Sequence, residues 1–420
     1  LSAVAGWTLL ALPVWSGLAI VATLQGWGRQ PLSGPAPQAF MHAAVKRTLA
    51  GHEGNVAFVL LEDGQVFGQH FASKGKPVDR DTLFQAASLS KWVTAWGVMT
   101  LVESGSLDLD APVEKYFKRW RLPPSNHDNS AVTVRRLLSH TAGLTDGLGY
   151  LGFPPGKPVQ PLVASLNRAA DAAPGADGFV RVGVEPGSSW RYSGGGYTLL
   201  QLVIEDVTGE PFAAYMQRAV LDPLGMRRST YRPPEPDQLA TFYDEDGSEA
   251  PHHRYTAAGA ASLYTSAADL TRFIQAHLPG PGGELPGRSV LSPRTLELMR
   301  KPHAILFGQD HWGLGVILYV PNGKGGFVIG HDGGNAPAIN TAARLDPASG
   351  DGIIALETGD PSLASRLAGE WTYWRTGEVG MVGVSWMLVL QRIAIGSTVI
   401  LLVAGFVAWR VWRPVGLRAA

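Results

Sequence analysis

The sequence predicts an α+β protein: an antiparallel β-sheet flanked by helices, an α-helical insertion, and one transmembrane helix at each end. Three observations predict this. Strand-like runs cluster early and late in the chain, helical periodicity fills the stretch between them, and long uncharged apolar runs lie at the two termini. The composition agrees with that division. Charged residues make up 17%, against about a quarter in a usual soluble protein, while 45% are apolar, so part of the chain is suited to lipid. Basic and acidic side chains balance at 35 each, which leaves no field for nucleic acid. With no cysteine, disulfides, thiolate metal sites and a Cys nucleophile are excluded.

No charged residue occurs before Arg29, and residues 1–24 make about 36 Å of helix against a hydrocarbon core of about 30 Å. Pro13 is tolerated in such a helix, and Trp7, Trp15 and Trp27 suit its interfaces. The run exceeds the apolar stretch of about 7–15 residues in a cleaved signal peptide, so residues 1–28 are expected as a retained transmembrane helix. A linker over 29–40 follows, rich in Pro, Ser and Gly from 31 to 37. Residues 40–49 read as helix, and 55–61 and 66–71 as two strands joined by the turn Glu62-Asp63-Gly64. Helical patterns then cover 89–103, 134–140, 197–208 and 267–277, the last opened by a capping box of Ser266 and Asp269. Residues 327–329, 339–345 and 352–357 return as short strands, and Asp360-Pro361 opens a helix toward Trp374. The soluble domain is therefore expected over 41–378, with its α insertion at about 105–310.

At the far end, 393–409 is an uncharged run of about 25 Å as helix, bounded by Arg392 and by Arg410 and Arg413. Residues 384–390 are also apolar, so either Arg392 snorkels at one interface or the earlier segment lies on the bilayer surface. A C-terminal transmembrane segment is expected over 381–410, with a cytoplasmic tail over 411–420. Arg410, Arg413 and Arg418 place that tail inside by the positive-inside rule, and the body on the extracytoplasmic, periplasmic side. The lipid bilayer is thus one expected partner.

A nucleophile and a base within one helical turn need i, i+3 spacing, which Ser-x-x-Lys supplies at Ser73/Lys76 and at Ser88/Lys91. Ser73 sits in the polar turn ASKGKP and is expected to be solvated. Ser88 follows the apolar TLFQAA and opens a helix whose Trp92, Ala95, Trp96 and Met99 recur at helical spacing, so Ser88 and Lys91 are expected at its buried first turn. Burial lowers an amine pKa, and a helix N-terminus favours charge developing on the Ser88 oxygen. On spacing alone, a capping Ser with a snorkelling Lys remains the alternative. Tyr192-Ser193 lies in the loop EPGSSWRYSGGGY, where a phenol beside an ammonium is able to relay a proton. Gly330-His331-Asp332-Gly333-Gly334 follows the strand-like GGFVI, and its glycines let a substrate approach a strand edge. His52-Glu53-Gly54 has the same spacing without a companion glycine and reads as structural. His252 and His253 lack a spaced third ligand, so no metal and no cofactor is expected. The acidic stretch TFYDEDGSEAPHHR reads as a solvated loop.

Together these features resemble the family of class C serine β-lactamases, penicillin-binding DD-peptidases and related esterases, over roughly residues 40–375. FQAASLSKWVTA resembles the family's nucleophile segment, VTVRRLLSHTAGL its next helix, and PGSSWRYSGGGYTLLQLVIEDVTG its Tyr loop. PLGM, AAGAASLYTSAADLTRF, WGLG and GHDGG resemble further landmarks in the same order. The resemblance implies a β-lactamase/transpeptidase-like fold and a serine hydrolase. It implies Ser88 as the acylated nucleophile, Lys91 as its base partner, Tyr192 as a second proton relay, and His331 in the place of a Lys. It further implies an oxyanion hole from the N–H groups of Ser88 and Gly334, with Ser193, Gly194, Asp332 and Gly333 at substrate-binding positions. Which of Lys91 and Tyr192 takes the first proton stays open.

Two departures bear on the substrate. The family's Tyr-x-Asn is Tyr192-Ser193-Gly194, so the Asn amide is missing, and its Lys-Thr-Gly is His331-Asp332-Gly333, which replaces a permanent ammonium by an imidazole. The first removes a grip on a substrate carbonyl and the second weakens the anchoring of a substrate carboxylate. Both argue against an efficient penicillinase and favour an esterase or peptidase acting on a small molecule or peptide with a neutral or modified acyl group. Alternatives are a peptidase that removes an N-acyl-D-amino-acid cap, a DD-carboxypeptidase or β-lactamase, and, from another class, a non-catalytic binder of penicillin or cell-wall peptide. The oligomeric state is not legible.

Overall fold

Twelve strands form among the described residues. β1 (Asn55–Glu62) and β2 (Gln65–Ala72) come early; β3 (Phe84–Gln85), β4 (Phe242–Tyr243), β5 (Glu249–Ala250) and β6 (Tyr264–Thr265) lie amid the helices; β7 (Ala304–Leu306), β8 (Gln309–Trp312), β9 (Ile317–Pro321), β10 (Phe327–Asn335), β11 (Ile339–Leu345) and β12 (Gly352–Thr358) come late. The computed structural model describes residues 2–147, 149–336 and 338–412, in two units: 32–371, and 2–31 with 372–412.

In the larger unit, β1 and β2 form a hairpin about Asp63-Gly64, where both residues hold positive φ as a tight two-residue turn requires. β1 then takes β12 as its other neighbour, from Asn55↔Thr358 to Leu61↔Gly352, so the sheet joins the two ends of the unit. The strand order is β2-β1-β12-β11-β10-β9-β8-β7, antiparallel throughout. β1, β11 and β12 are buried on both faces; β1 and β12 accordingly carry apolar runs over 56–61 and 353–356, whereas β11 also buries Asn340, Thr341 and Arg344.

β10 continues six residues past the expected end at Ile329. Glycines have little intrinsic strand preference, but β11 pairs with the whole stretch, from Ile329↔Leu345 to Asn335↔Ile339. β9 pairs only with Phe327 to Gly330, so from His331 onward β10 has no strand on that side among the described residues. β7, β8 and β9 were not anticipated, because Gly308, Gly313 and Gly315 break them into pieces too short for a period-2 signal. β7 begins at Ala304, near the expected end of the insertion.

The helix Ser90–Glu103 is buried on all sides and packs Trp92 and Trp96 against Phe273 and His277. Phe273 belongs to the helix Ala267–Gln275, which lies on β1 and β12. The helix Leu363–Thr376 has a buried stripe of Leu363, Ala364, Leu367, Ala368 and Trp371, and Asn340 of β11 is tied to its first turn through Ser365. Near the start, the helix Pro37–Ala43 continues as a π-helical turn, Ala44–Leu49. The expected capping box is half formed: Ser266 Oγ accepts the Asp269 N–H at 3.2 Å. The Asp269 carboxylate turns instead to Arg228 N–H, Ser229 N–H, Ser229 Oγ and Arg272, tying the helix to the preceding loop.

The smaller unit pairs two helices, Ser2–Leu24 and Trp386–Trp412, each long and apolar enough to cross a membrane. The second is one continuous helix of about 40 Å, so residues 384–390 do not form a separate surface segment. Arg392 is paired: it donates to Thr23 Oγ1 at 3.2 Å and to Trp27 O at 2.9 Å, while Trp15 Nε1 donates to Arg392 O at 3.1 Å. Val411 and Trp412 extend the helix past the expected boundary at 410; the rest of the tail, with Arg413 and Arg418, lies outside the described residues.

Replacing Ser266 by Ala is expected to cost about 1 kcal/mol, the usual worth of an N-cap, whereas Asp269→Ala should cost about 3 kcal/mol by stranding buried donors. Denaturant unfolding of the detergent-solubilised chain measures both, and equal losses would contradict the assignment.

Candidate active site

Ser88 stands on a short 3-10 turn, Ala87–Leu89, rather than on the helix itself, which begins at Ser90. Ala87 holds φ +47°, a left-handed conformation that a side chain disfavours. Neighbours pin this turn: Ser90 Oγ donates to Ala87 O at 2.6 Å and accepts Leu263 N–H at 3.0 Å, and Thr341 Oγ1 donates to Ala86 O at 2.8 Å. Lys91 is 2% exposed. Its Nζ donates to Ser88 Oγ at 3.0 Å and to Ala260 O at 2.9 Å, and lies 5.0 Å from the ring centre of Tyr192 and 5.6 Å from that of Tyr197. The hydroxyl and the amine, one helical turn apart, and the phenol ring about a hundred residues further along the chain are therefore neighbours.

Tyr192 is held by a residue that sequence reading took only as a helix end. His140, itself at φ +57°, stacks on the Tyr192 ring at 4.4 Å, accepts Ser193 N–H on Nδ1 at 3.1 Å, and receives Arg191 N–H on its carbonyl at 2.8 Å. Burial, together with the Lys91 charge, holds the His140 imidazole well below its ordinary pKa, so the ring is neutral. This histidine lies in the VTVRRLLSHTAGL landmark, whose sequence alone assigns it no partner.

The next two positions differ from the expected substrate-binding role. Ser193 caps the helix Gly194–Thr208: its Oγ accepts Gly196 N–H at 2.8 Å and donates its one proton to Asp146 Oδ1 at 2.6 Å. That hydroxyl has no proton left for a substrate carbonyl, and Gly194 is buried in the first helical turn. Asp146, which also accepts Gly195 N–H, was not singled out in the sequence.

On β10, His331 and Gly333 share one face and Asp332 takes the other. A Cβ at Gly333 would lie 2.3 Å from Ala86 O, 2.5 Å from Thr341 Oγ1 and 3.0 Å from Leu89 N, so a glycine here lets the strand close on the nucleophile turn. Gly334 beyond it is exposed, with nothing nearer than 3.8 Å to a Cβ. Asp332 does not reach into the site as expected: Tyr319 OH donates to Oδ1 at 2.6 Å and Arg344 to Oδ2 at 3.0 Å, with the guanidinium 3.9 Å over the Tyr319 ring. Strand alternation sends that side chain into a buried network behind β10.

A ring cluster completes the site. Trp312 lies 5.8 Å from Tyr192, 4.8 Å from His140 and 5.5 Å from His331, and Trp190 packs on His311 at 4.7 Å. Burial pushes His311 to a pKa of about 4; burial and the Lys91 charge push His331 to about 4. Among the described residues, no three His, Asp or Glu side chains come together as a metal site. The other sequence features lie elsewhere. Ser73 and Lys76 are exposed, Lys76 donating to Asp237 O; His52 pairs with Glu357 at 3.3 Å; His252 stacks on Phe242; and the acidic stretch contains the β4–β5 hairpin.

Known proteins resemble this chain over most of its length. The family described as Beta-lactamase matches residues 40–378. Esterase EstB of Burkholderia gladioli is 32% identical over 244 residues, 50% of this chain and 60% of that protein, so less than two thirds of its length is spanned. Penicillin-binding protein 4 of Amycolatopsis lactamdurans is 28% identical over 322 residues, 72% of this chain and 80% of that one. The octameric penicillin-binding protein homologue from Pyrococcus abyssi superposes with a TM-score of 0.62 at 25% identity, covering 81% of this chain and 77% of its own.

Gly333→Ala is expected to push β10 off the nucleophile turn and slow modification of Ser88 by an electrophilic serine probe about 100-fold, with far-UV circular dichroism unchanged. The buried histidines also set a pH dependence. His311 and His331 stay neutral in the folded chain down to about pH 4 but titrate near 6.5 when unfolded. Protons are then bound by the unfolded state in that window, so stability is complete above about pH 6.5 and declines as pH falls toward 4. His140 and His277 act in the same sense, and Glu357, raised to about 7 by burial, in the opposite one. Melting temperature should therefore fall between pH 7 and pH 4.5; a rise would contradict the burial of neutral imidazoles.

Proposed function

The chain belongs to the beta-lactamase family, and on that premise we propose that it is a membrane-anchored serine hydrolase that cleaves an ester or amide through an acyl-enzyme on Ser88. One observation carries the reading: Lys91 Nζ lies 3.0 Å from Ser88 Oγ and 5.0 Å over the ring of Tyr192. Ser88 Oγ attacks the acyl carbon while its proton passes to the Lys91–Tyr192 pair, which returns it to the leaving group; a water then repeats the sequence and frees the acid. The carbonyl of Ala260 and the π-faces of Tyr192 and Tyr197 hold the amine in place. The N–H groups of Ser88 and Gly334 are the proposed oxyanion donors, each worth about 3–4 kcal/mol in such sites. Gly333 supports this pairing, since it permits the strand to lie against the turn that carries Ser88.

Departures from the family pattern favour an ester or a neutral amide over a penicillin. Gly194 has no side chain where relatives carry an Asn amide, the neighbouring Ser193 hydroxyl is committed to Asp146, and His331 is neutral where they carry an ammonium. The esterase relative is in line with this choice. Membrane attachment is supported by the two long apolar helices, and an extracytoplasmic body by Arg410 at the end of the second.

The test is labelling of the detergent-solubilised chain with a fluorophosphonate, together with turnover of short-chain aryl esters. Ser88→Ala should abolish labelling and lower turnover by about 10⁴-fold or more, and Lys91→Met should do nearly the same. Labelling without any turnover would instead mark a binder that traps its ligand. Equal turnover in wild type and Ser88→Ala would end the proposal.

A further inference from the structure

His331 stands where the resemblance places a lysine, and its hydrogen bonding fixes what it turns toward a ligand. Its Nδ1 lies 2.6 Å from the carbonyl oxygen of Asp332. A carbonyl only accepts, so Nδ1 carries the proton, and the neutral ring presents a lone pair at Nε2. The ring is 1% exposed, and burial and the Lys91 ammonium both oppose its protonation. The Asp332 carboxylate, which favours the charged form, is engaged behind the strand by Tyr319 and Arg344.

Nε2 is buried and has no hydrogen-bond partner among the described residues. A buried acceptor without a partner is unfavourable, so the site holds an unmet demand for a donor. The adjacent rings carry the complementary demand. His140 accepts on Nδ1 from Ser193 N–H, so its Nε2 bears a proton; that Nε2–H and the Trp312 Nε1–H are also buried without partners. Two histidines in one cluster thus sit in opposite tautomers. A carboxylate meets the His331 lone pair with its own negative charge. A carboxamide or hydroxyl supplies a proton to it and an oxygen to the neighbouring N–H groups.

Resting on the hydrolase reading above, we propose that His331 is a specificity determinant that accepts a hydrogen bond from substrate, so that the site selects esters and amides bearing a neutral donor group, a carboxamide or hydroxyl, over those bearing a carboxylate. The test uses the full chain in detergent and two N-acyl depsipeptides that differ only in a terminal carboxamide or carboxylate. The carboxamide should be hydrolysed with kcat/KM about 10-fold higher or more, and His331→Lys should lower that ratio by about the same factor, the equivalent of one satisfied donor. A ratio of one or below in the wild type, or a ratio unchanged in His331→Lys, would overturn the proposal.

Side-chain ¹⁵N NMR, with His331→Gln for assignment, gives a readout independent of turnover. Nε2 should resonate as an unprotonated nitrogen from pH 6 to 8 and, in Ser88→Ala, shift on addition of the carboxamide ligand but not the carboxylate. An Nε2–H tautomer, an imidazolium, or the same shift with both ligands would count against it. Turnover of both esters by Ser88→Ala would defeat the hydrolase reading alone, leaving the NMR result to judge His331.

Discussion

A lysine ammonium almost wholly withdrawn from water is the constraint around which this active site is built. Burying such a charge without partners costs several kcal/mol, so the surroundings must supply acceptors in fixed positions. Lys91 finds them in the hydroxyl of Ser88, the carbonyl of Ala260 and two tyrosine faces. Each comes from a different part of the chain, so the charge acts as a clasp between the nucleophile turn, the helical insertion and the Tyr192 loop. The neutral state of His140 and His331 follows from the same charge together with their burial. A protonated imidazole on either side would add a second cation to a dry pocket.

The strain at Ala87 belongs to the same design. A left-handed alanine costs about 1–3 kcal/mol, and Ser90 and Thr341 hold the turn in that shape through Ala87 and Ala86. The strand β10 can then pass close by because Gly333 has no side chain to collide with the turn. Network and strand reinforce each other: Asp332, one residue earlier, is locked by Arg344 and Tyr319 on the far side. The stretch of β10 facing Ser88 is thereby backed both by β11, which pairs along it, and by this ion pair.

The sequence carried the centre of this arrangement and missed its frame. Ser88 and Lys91 were legible because a period of 3.6 residues makes i, i+3 a contact, and the apolar residues after them marked the turn as buried. β1 and β12 were legible because burial on both faces leaves an apolar run. The roles of His140 and Asp146 were not, since their partners lie about fifty residues away and the landmark that holds His140 does not say what it touches. Asp332 and Ser193 were placed on the wrong side for one reason: a motif gives spacing, whereas strand alternation and helix capping decide direction. Arg392 is similar. Its charge was plain, but its partners Thr23 and Trp27 come from the opposite end of the chain.

The pairing of β1 with β12 has a consequence for biogenesis. β1 leaves the ribosome with only β2 beside it, and its other neighbour is synthesised about 300 residues later, a separation that makes the contact slow to close. Until then the nascent hairpin offers a bare apolar border able to template pairing with other chains. A holdase that shields this border until the last strand arrives would therefore govern how much of the product reaches its native form.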